Sequence, residues 1–215
     1  MSYFSTAKVQ AKDSPSIDAF QAWRVSQKNY RFDSQLTYGI DTTYLWDTLV
    51  TGTATVAHDT NLRAAVLTIG TASGEYAVLQ SHYPAPYTPG YSQIAIPTFR
   101  FGAAVANTEA EVGYGDDRNG IFLKQAGDGT LSIELRASIS GVPSGTSVTQ
   151  ANWNLDTMDG NGASGINILQ TKVQILWIDA QALYTGRVRC GFDVGGLVYY
   201  FHEFDHSNVE INPYI

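Results

Sequence analysis

The chain has 215 residues, 44% hydrophobic and 12% aromatic, enough for one large β domain or two small ones and too apolar for a disordered tail. Only 15% are charged, against about 25% in an ordinary globular domain, while 20 glycines and 13 tyrosines point to a surface of hydroxyls, amides and backbone. The 13 basic residues are scattered among 20 acidic ones, net charge -7, which excludes the concentrated basic footprint that nucleic acid requires.

The first ten residues lack a basic start, an apolar stretch and a small-residue cleavage site, so secretion by a signal peptide is not expected. No apolar run approaches the ~20 residues of a membrane-spanning helix, and no membrane partner is expected. The single cysteine, Cys190, cannot form an intrachain disulfide.

Residues 1–35 read as a polar arm for attachment or subunit contact, broken by Ser14-Pro15-Ser16. Ile17, Phe20 and Trp23 recur every third residue, which allows a short helix over Ile17–Val25 capped by Ser16, or an arm lying extended on a neighbouring subunit.

Residues 36–215 read as one β-sandwich domain, because short β-branched and aromatic runs alternate with Gly, Pro, Asn and Asp. The predicted strands are Tyr44–Val50, Thr53–His58, Arg63–Gly70, Glu75–Ser81, Ser92–Gly102, Glu109–Gly115, Gly120–Gln125, Leu131–Ile139, Val173–Ala180, Arg187–Val194 and Leu197–Phe204. So many strands with hardly a helix predict an all-β fold, a two-sheet antiparallel sandwich of jelly-roll type. Two hairpins anchor this reading. One turns at Gly127-Asp128-Gly129; the other turns at Gly195-Gly196, after a strand in which Val188, Cys190, Phe192 and Val194 alternate with Arg187, Arg189, Gly191 and Asp193. Asp159 to Gly165 reads as a surface loop.

Among motifs with chemical meaning, His202-Glu203-Phe204-Asp205-His206 has the H-E-x-x-H form of zinc proteases. On a helix both imidazoles would share a face. This stretch instead continues a β run from Leu197, where four residues span about 13 Å, so packed strand-end histidines are expected rather than a metal centre. Glu109 and Glu111 share a strand face and are the one carboxylate pair suited to glycoside hydrolysis; a solvent-facing role is the expectation. Asp116-Asp117 reads as a turn. Asp156, Asp159 and Asn161 offer oxygen atoms for calcium, but such loops are usually plain turns. Cys190 sits on an apolar strand face where a thiolate is disfavoured, and there is no nucleophile elbow or phosphate loop. No catalytic residue, cofactor or metal is therefore expected. His82 to Tyr91 packs Tyr83, Tyr87 and Tyr91 between three prolines, a stiff aromatic surface suited to sugars, to a protein neighbour, or to covering the chain's own edge.

Several blocks, taken in order, resemble virion structural proteins of tailed bacteriophages. They are Tyr87-Thr-Pro-Gly-Tyr-Ser-Gln93, Val112-Gly-Tyr-Gly-Asp-Asp-Arg-Asn-Gly-Ile-Phe-Leu123, Asn152-Trp-Asn-Leu-Asp156 with Gly160 to Gly165, Gly186-Arg-Val-Arg-Cys-Gly-Phe192 and Tyr199-Tyr-Phe-His-Glu-Phe204. The resemblance covers about residues 80–208. The Gly191 to Leu197 hairpin is also similar to concanavalin-like sandwiches, which bears on fold rather than task. The resemblance implies a non-enzymatic β-sandwich on the virion, made in the host cytoplasm: a capsid decoration, head fibre or tail component. It implies the major capsid protein or other virion proteins as partners, together with self-association, here expected as a trimer, and host-surface glycans as a further ligand class.

Overall fold

The computed structural model describes Ile17, Trp23 and residues 29–85, 91–138, 141–181 and 186–208. Its strands are β1 (Trp46–Val50), β2 (Thr55–Asp59), β3 (Ala64–Thr68), β4 (Ala77–Ser81), β5 (Ser92–Ala95), β6 (Thr98–Phe99), β7 (Glu109–Gly115), β8 (Gly120–Ala126), β9 (Leu131–Ala137), β10 (Ser144–Thr149), β11 (Gln174–Gln181), β12 (Val188–Val194) and β13 (Leu197–Phe204). One 3-10 turn, Gln150–Asn152, joins them. The fold is all-β and antiparallel, as the alternation of apolar and polar residues predicts.

The chain divides into two compact units, Gln27–Tyr87 and a larger one that combines Met1–Ser26 with Thr88–Ile215. The sequence predicts a single domain over residues 36–215 after an arm ending at 35. The boundary differs because residues just before 36 belong with the strands that follow. Phe32 packs edge-to-face on Trp46 at 5.1 Å, and the Trp46 indole N–H donates to the Ser34 hydroxyl at 2.8 Å.

The larger unit is a two-sheet sandwich. One sheet has the order β10-β9-β8-β7, and the other has the order β13-β12-β11-β5 with β6 also paired to β11. Consecutive hairpins link β7 to β10 and β11 to β13, while β5 and β6, from earlier in the chain, pair with β11 and complete the second sheet. The expected strand Ser92–Gly102 is split into β5 and β6 at Pro97, which has no N–H for the ladder, although its carbonyl still accepts from the Leu176 N–H at 3.0 Å. β10 was not foreseen: Ser144-Gly-Thr-Ser-Val-Thr149 is too polar to read as a strand, yet it pairs along β9 as an edge.

The core lies between the sheets. Ile121, Leu123, Ile133 and Leu135 project from one, and Leu176, Ile178, Val188, Cys190 and Phe192 from the other, in step with the period-two alternation. Phe201 stacks between Phe192 (ring centroids 4.9 Å) and Trp153 (4.0 Å). It can do so because the register shifts at Cys190/Gly191, where Cys190 faces His202 and Gly191 faces Tyr200. Phe201 is thus the extra residue of a bulge, which re-aims the strand end. Both anticipated hairpins are present. Gly195 and Gly196 have φ of +66° and +84°, as a two-residue type I′ connection demands, and Gly129 has φ of +86°.

The loop after β10 seals the edge strand β13. Asn154 donates its side-chain N–H to the Glu203 carbonyl and accepts the Glu203 N–H, both at 2.9 Å, so one amide side chain substitutes for a neighbouring strand. Replacing Asn154 by Ala is expected to remove about 1 kcal/mol of stability, read as a lower urea midpoint with unchanged slope. An unchanged midpoint would show that water replaces this amide without cost.

Candidate contact surfaces

The carboxylates proposed for hydrolysis lie on the outer face of the β7–β10 sheet, within a ladder of charge. Lys124 bridges Glu109 at 2.8 Å and Glu134 at 2.7 Å, and Arg136 bridges Glu134 at 2.9 Å and Glu111 at 2.8 Å. The Arg136 guanidinium also covers the Phe122 ring at 4.5 Å. Burial by itself would raise the Glu134 carboxyl, but hydrogen bonds from Lys124 and Arg136 outweigh it and hold the group below its ordinary value. Three carboxylates against two cations form a paired surface. Glu109 and Glu111 are each held by a cation on the neighbouring strands.

The other candidates are engaged in the fold itself. His202 lies on β13 as anticipated, nearly buried, and its Nδ1 accepts the Asn154 N–H at 3.3 Å. Its ring meets Phe204 edge-on at 4.6 Å, while His206 lies beyond the strand. Among the described residues no three His, Cys, Asp or Glu side chains converge as metal ligands. Asp156 accepts the N–H groups of Met158 (2.8 Å) and Ser164 (2.6 Å), and Asp159 accepts the Thr157 hydroxyl and the Asn161 N–H. These carboxylates therefore fold their own loop. Asp116 does likewise, accepting the N–H groups of Arg118 and Asn119. Cys190 is buried, and burial, followed by the charge of Asp179, pushes its thiol far up.

Of the three tyrosines singled out, Tyr83 and Tyr91 are 70% and 69% exposed. Tyr87 lies outside the described residues. Tyr83 belongs to the smaller unit and Tyr91 to the larger one.

The most unusual surface belongs to the smaller unit and was not read from sequence. Its strands form two two-stranded sheets, β1-β4 and β2-β3. Ala54 is the only fully buried apolar residue among the described residues of this unit. Leu49 and Val78 are cross-strand partners, 58% and 38% exposed, and Leu62, Leu67, Ile69 and Tyr76 are exposed as well. Polar clasps hold the loops instead of a core. The Glu75 carboxylate accepts the Thr53 N–H at 2.6 Å and its hydroxyl at 3.0 Å, and Thr51 and Tyr76 exchange backbone and side-chain bonds at 3.0 Å. The alternation of these strands shows an apolar face but not what covers it.

No family model, curated protein or solved structure matches this chain.

Burial lowers the pKa of His202 to about 4. The unfolded chain takes up this proton near pH 6.5 and the folded one only near 4, so unfolding binds a proton between these values and stability rises with pH across that window. Between pH 7 and pH 5 the protein is expected to lose about 2 kcal/mol in urea unfolding, and His202→Gln is expected to abolish that loss. Equal losses in parent and variant would contradict the assignment.

Proposed function

We propose that the protein is a non-enzymatic structural subunit of a tailed-phage virion, a capsid decoration or head fibre. In this reading it works as a homo-oligomer, a trimer, seated on the major capsid protein or other virion proteins. The observation that carries the reading is the smaller unit. Two-stranded sheets are marginal in water, and a unit with one buried apolar residue among its described residues lacks the burial that offsets chain entropy.

Such a unit is completed by other chains, and its own copies are the partner present wherever it is made. Residues 27–87 carry Lys28, Arg31 and Arg63 against Asp33, Asp41, Asp47, Asp59 and Glu75, net -2, so like copies repel only weakly. The ordered block resemblance over residues 80–208 and the Gly- and Tyr-rich sandwich support placement on a virion. The engagement of Glu109, Glu111, Asp156 and Asp159 in ion pairs or loop hydrogen bonds supports a structural rather than catalytic role.

A second reading, a tail-associated receptor- or carbohydrate-binding module, is favoured by the exposure of Tyr83 and Tyr91. Aromatic rings held open to solvent are the usual platform for sugar faces.

Sedimentation velocity is expected to show an oligomer of the parent chain, and Leu49→Asp with Val78→Asp is expected to weaken association at least about tenfold, since each buried apolar side chain contributes roughly 1.5–3 kcal/mol. Mass spectrometry of purified particles is expected to find the chain in fixed stoichiometry. A monomer that is absent from particles would refute the proposal. Loss of glycan-array binding on Tyr83→Ala with Tyr91→Ala would favour the second reading.

A further inference from the structure

The larger unit closes open surfaces with its own chain. Asn154 occupies the edge of β13. On the outer face of the same sheet Arg189 and its cross-strand neighbour Asp179 are both 0% exposed. The guanidinium donates to the Asp179 carboxylate and, at 2.9 Å, to the carbonyl of Ile17, 172 positions earlier in the chain. Ile17 in turn bridges Trp23 as an antiparallel pair, so β pairing at these two positions replaces the helix expected over Ile17–Val25.

The smaller unit leaves two strand edges open. Among the described residues β1 and β4 pair with each other and with no third strand. Their register runs without a bulge from Trp46 opposite Ser81 to Val50 opposite Ala77. Beyond either end the same ladder continues: the His82 N–H donates to the Leu45 carbonyl at 2.8 Å, and the Thr51 N–H to the Tyr76 carbonyl at 3.0 Å. Bonded and non-bonded pairs alternate in an antiparallel ladder, so the bonded pairs in between are Asp47 with Gln80 and Leu49 with Val78. Thr48 and Val50 on β1, and Ala77, Leu79 and Ser81 on β4, therefore turn their backbone N–H and C=O groups away from the partner strand.

These edges carry none of the devices by which sheets keep other chains off. No proline, lysine or bulge interrupts either strand, and their one charged side chain, Asp47, is held by His82 at 2.9 Å. The two faces of the sheet differ as well. Leu49 and Val78, 58% and 38% exposed, project to one side, while on the other Trp46 packs on Phe32 and Leu79 is half-buried.

We infer that the β1–β4 sheet joins copies of the chain edge to edge, the β4 edge of one copy pairing with the β1 edge of the next. The inference rests on the reading of the smaller unit as the site of self-association and specifies its geometry, backbone ladders in place of apposed faces. A second copy is the occupant because each copy brings both edges, and the outward positions Thr48, Val50, Ala77, Leu79 and Ser81 are all uncharged, so no like charges meet. A contact of β4 with β1 is heterologous, and such contacts close into rings or run on as filaments. In a trimer three two-stranded sheets supply six strands, an even number that keeps every neighbour antiparallel, and the ring closes as a barrel without an edge. The face that the unit covers itself lies outside. Leu49 and Val78 point inward and lose their contact with water, so one arrangement satisfies both the open edges and the exposed apolar face.

The test uses the full-length chain and reads both backbone and oligomer. Exchange of the outward amides of Thr48, Val50, Leu79 and Ser81 in the parent is expected to slow at least tenfold between the dilute monomer and the oligomer. Thr48→Pro with Ala77→Pro removes one outward donor from each edge and leaves the bonds between β1 and β4 in place, Ala77 being the first residue of its strand. By sedimentation velocity this variant is expected to associate at least tenfold more weakly than Thr48→Ser with Ala77→Ser, which keeps both N–H groups. The parent measurement decides by itself if the proline variant folds poorly. Outward amides that exchange as fast in the oligomer as in the monomer, or folded proline and serine variants that associate equally, would overturn edge pairing while self-association of the unit stands. A parent chain that stays monomeric at every concentration would overturn both.

Discussion

The structure depends on apolar side chains meeting between two antiparallel sheets, with Phe201 stacked between Phe192 and Trp153 at the centre of that contact. Each buried aromatic withdraws a large area from water and adds ring contacts beyond the area alone. The remaining features of the sandwich serve this closure. The bulge at Cys190/Gly191 turns Phe201 inward, Asn154 closes the strand edge beside it, and His202 is left neutral in the same dry environment. The cavity bounded by Gln93, Ala95, Tyr114, Ile178 and Ala180 amounts to only about 10 Å³, about the least that admits a water.

Burial is distributed unevenly along the chain. The sandwich has a continuous core, whereas residues of the smaller unit expose leucine, valine and isoleucine and rely on carboxylate and hydroxyl clasps at their turns. The contrast bears on function because both kinds of surface are encoded by similar β-branched runs. In one case the runs find partners within the chain. In the other the copies of the chain are the proposed partners, which makes association a condition of stability for that unit.

Strand positions were legible because alternation of apolar and polar residues has a period of two and is visible locally, as in Val188 to Val194. Turns were legible where paired glycines demanded positive φ, as at Gly195-Gly196. β10 was not, because an edge strand paired on one side needs little apolar content, and Ser144 to Thr149 has almost none. The unit boundary escaped because the contact between Phe32 and Trp46 leaves no periodic trace. The candidate surfaces were the least legible. Alternation identifies Arg189 and Asp179 as outward-facing, but whether outward means solvent depends on a segment 172 residues away. Tyr83 and Tyr91 are exposed, a point their proline-rich surroundings left open, while Glu109 and Glu111 acquire their meaning from Lys124 and Arg136 on neighbouring strands.

The central claim is that the smaller unit completes its burial against further copies of the chain. Amide hydrogen exchange measured over a wide range of protein concentration tests it directly, because exchange reports the opening free energy of each strand. Protection of β1 and β4 amides is expected to rise with concentration, at least tenfold across the association range, while amides of β8, β9 and β12 stay equally protected throughout. Protection of β1 and β4 that is high and independent of concentration would contradict the claim.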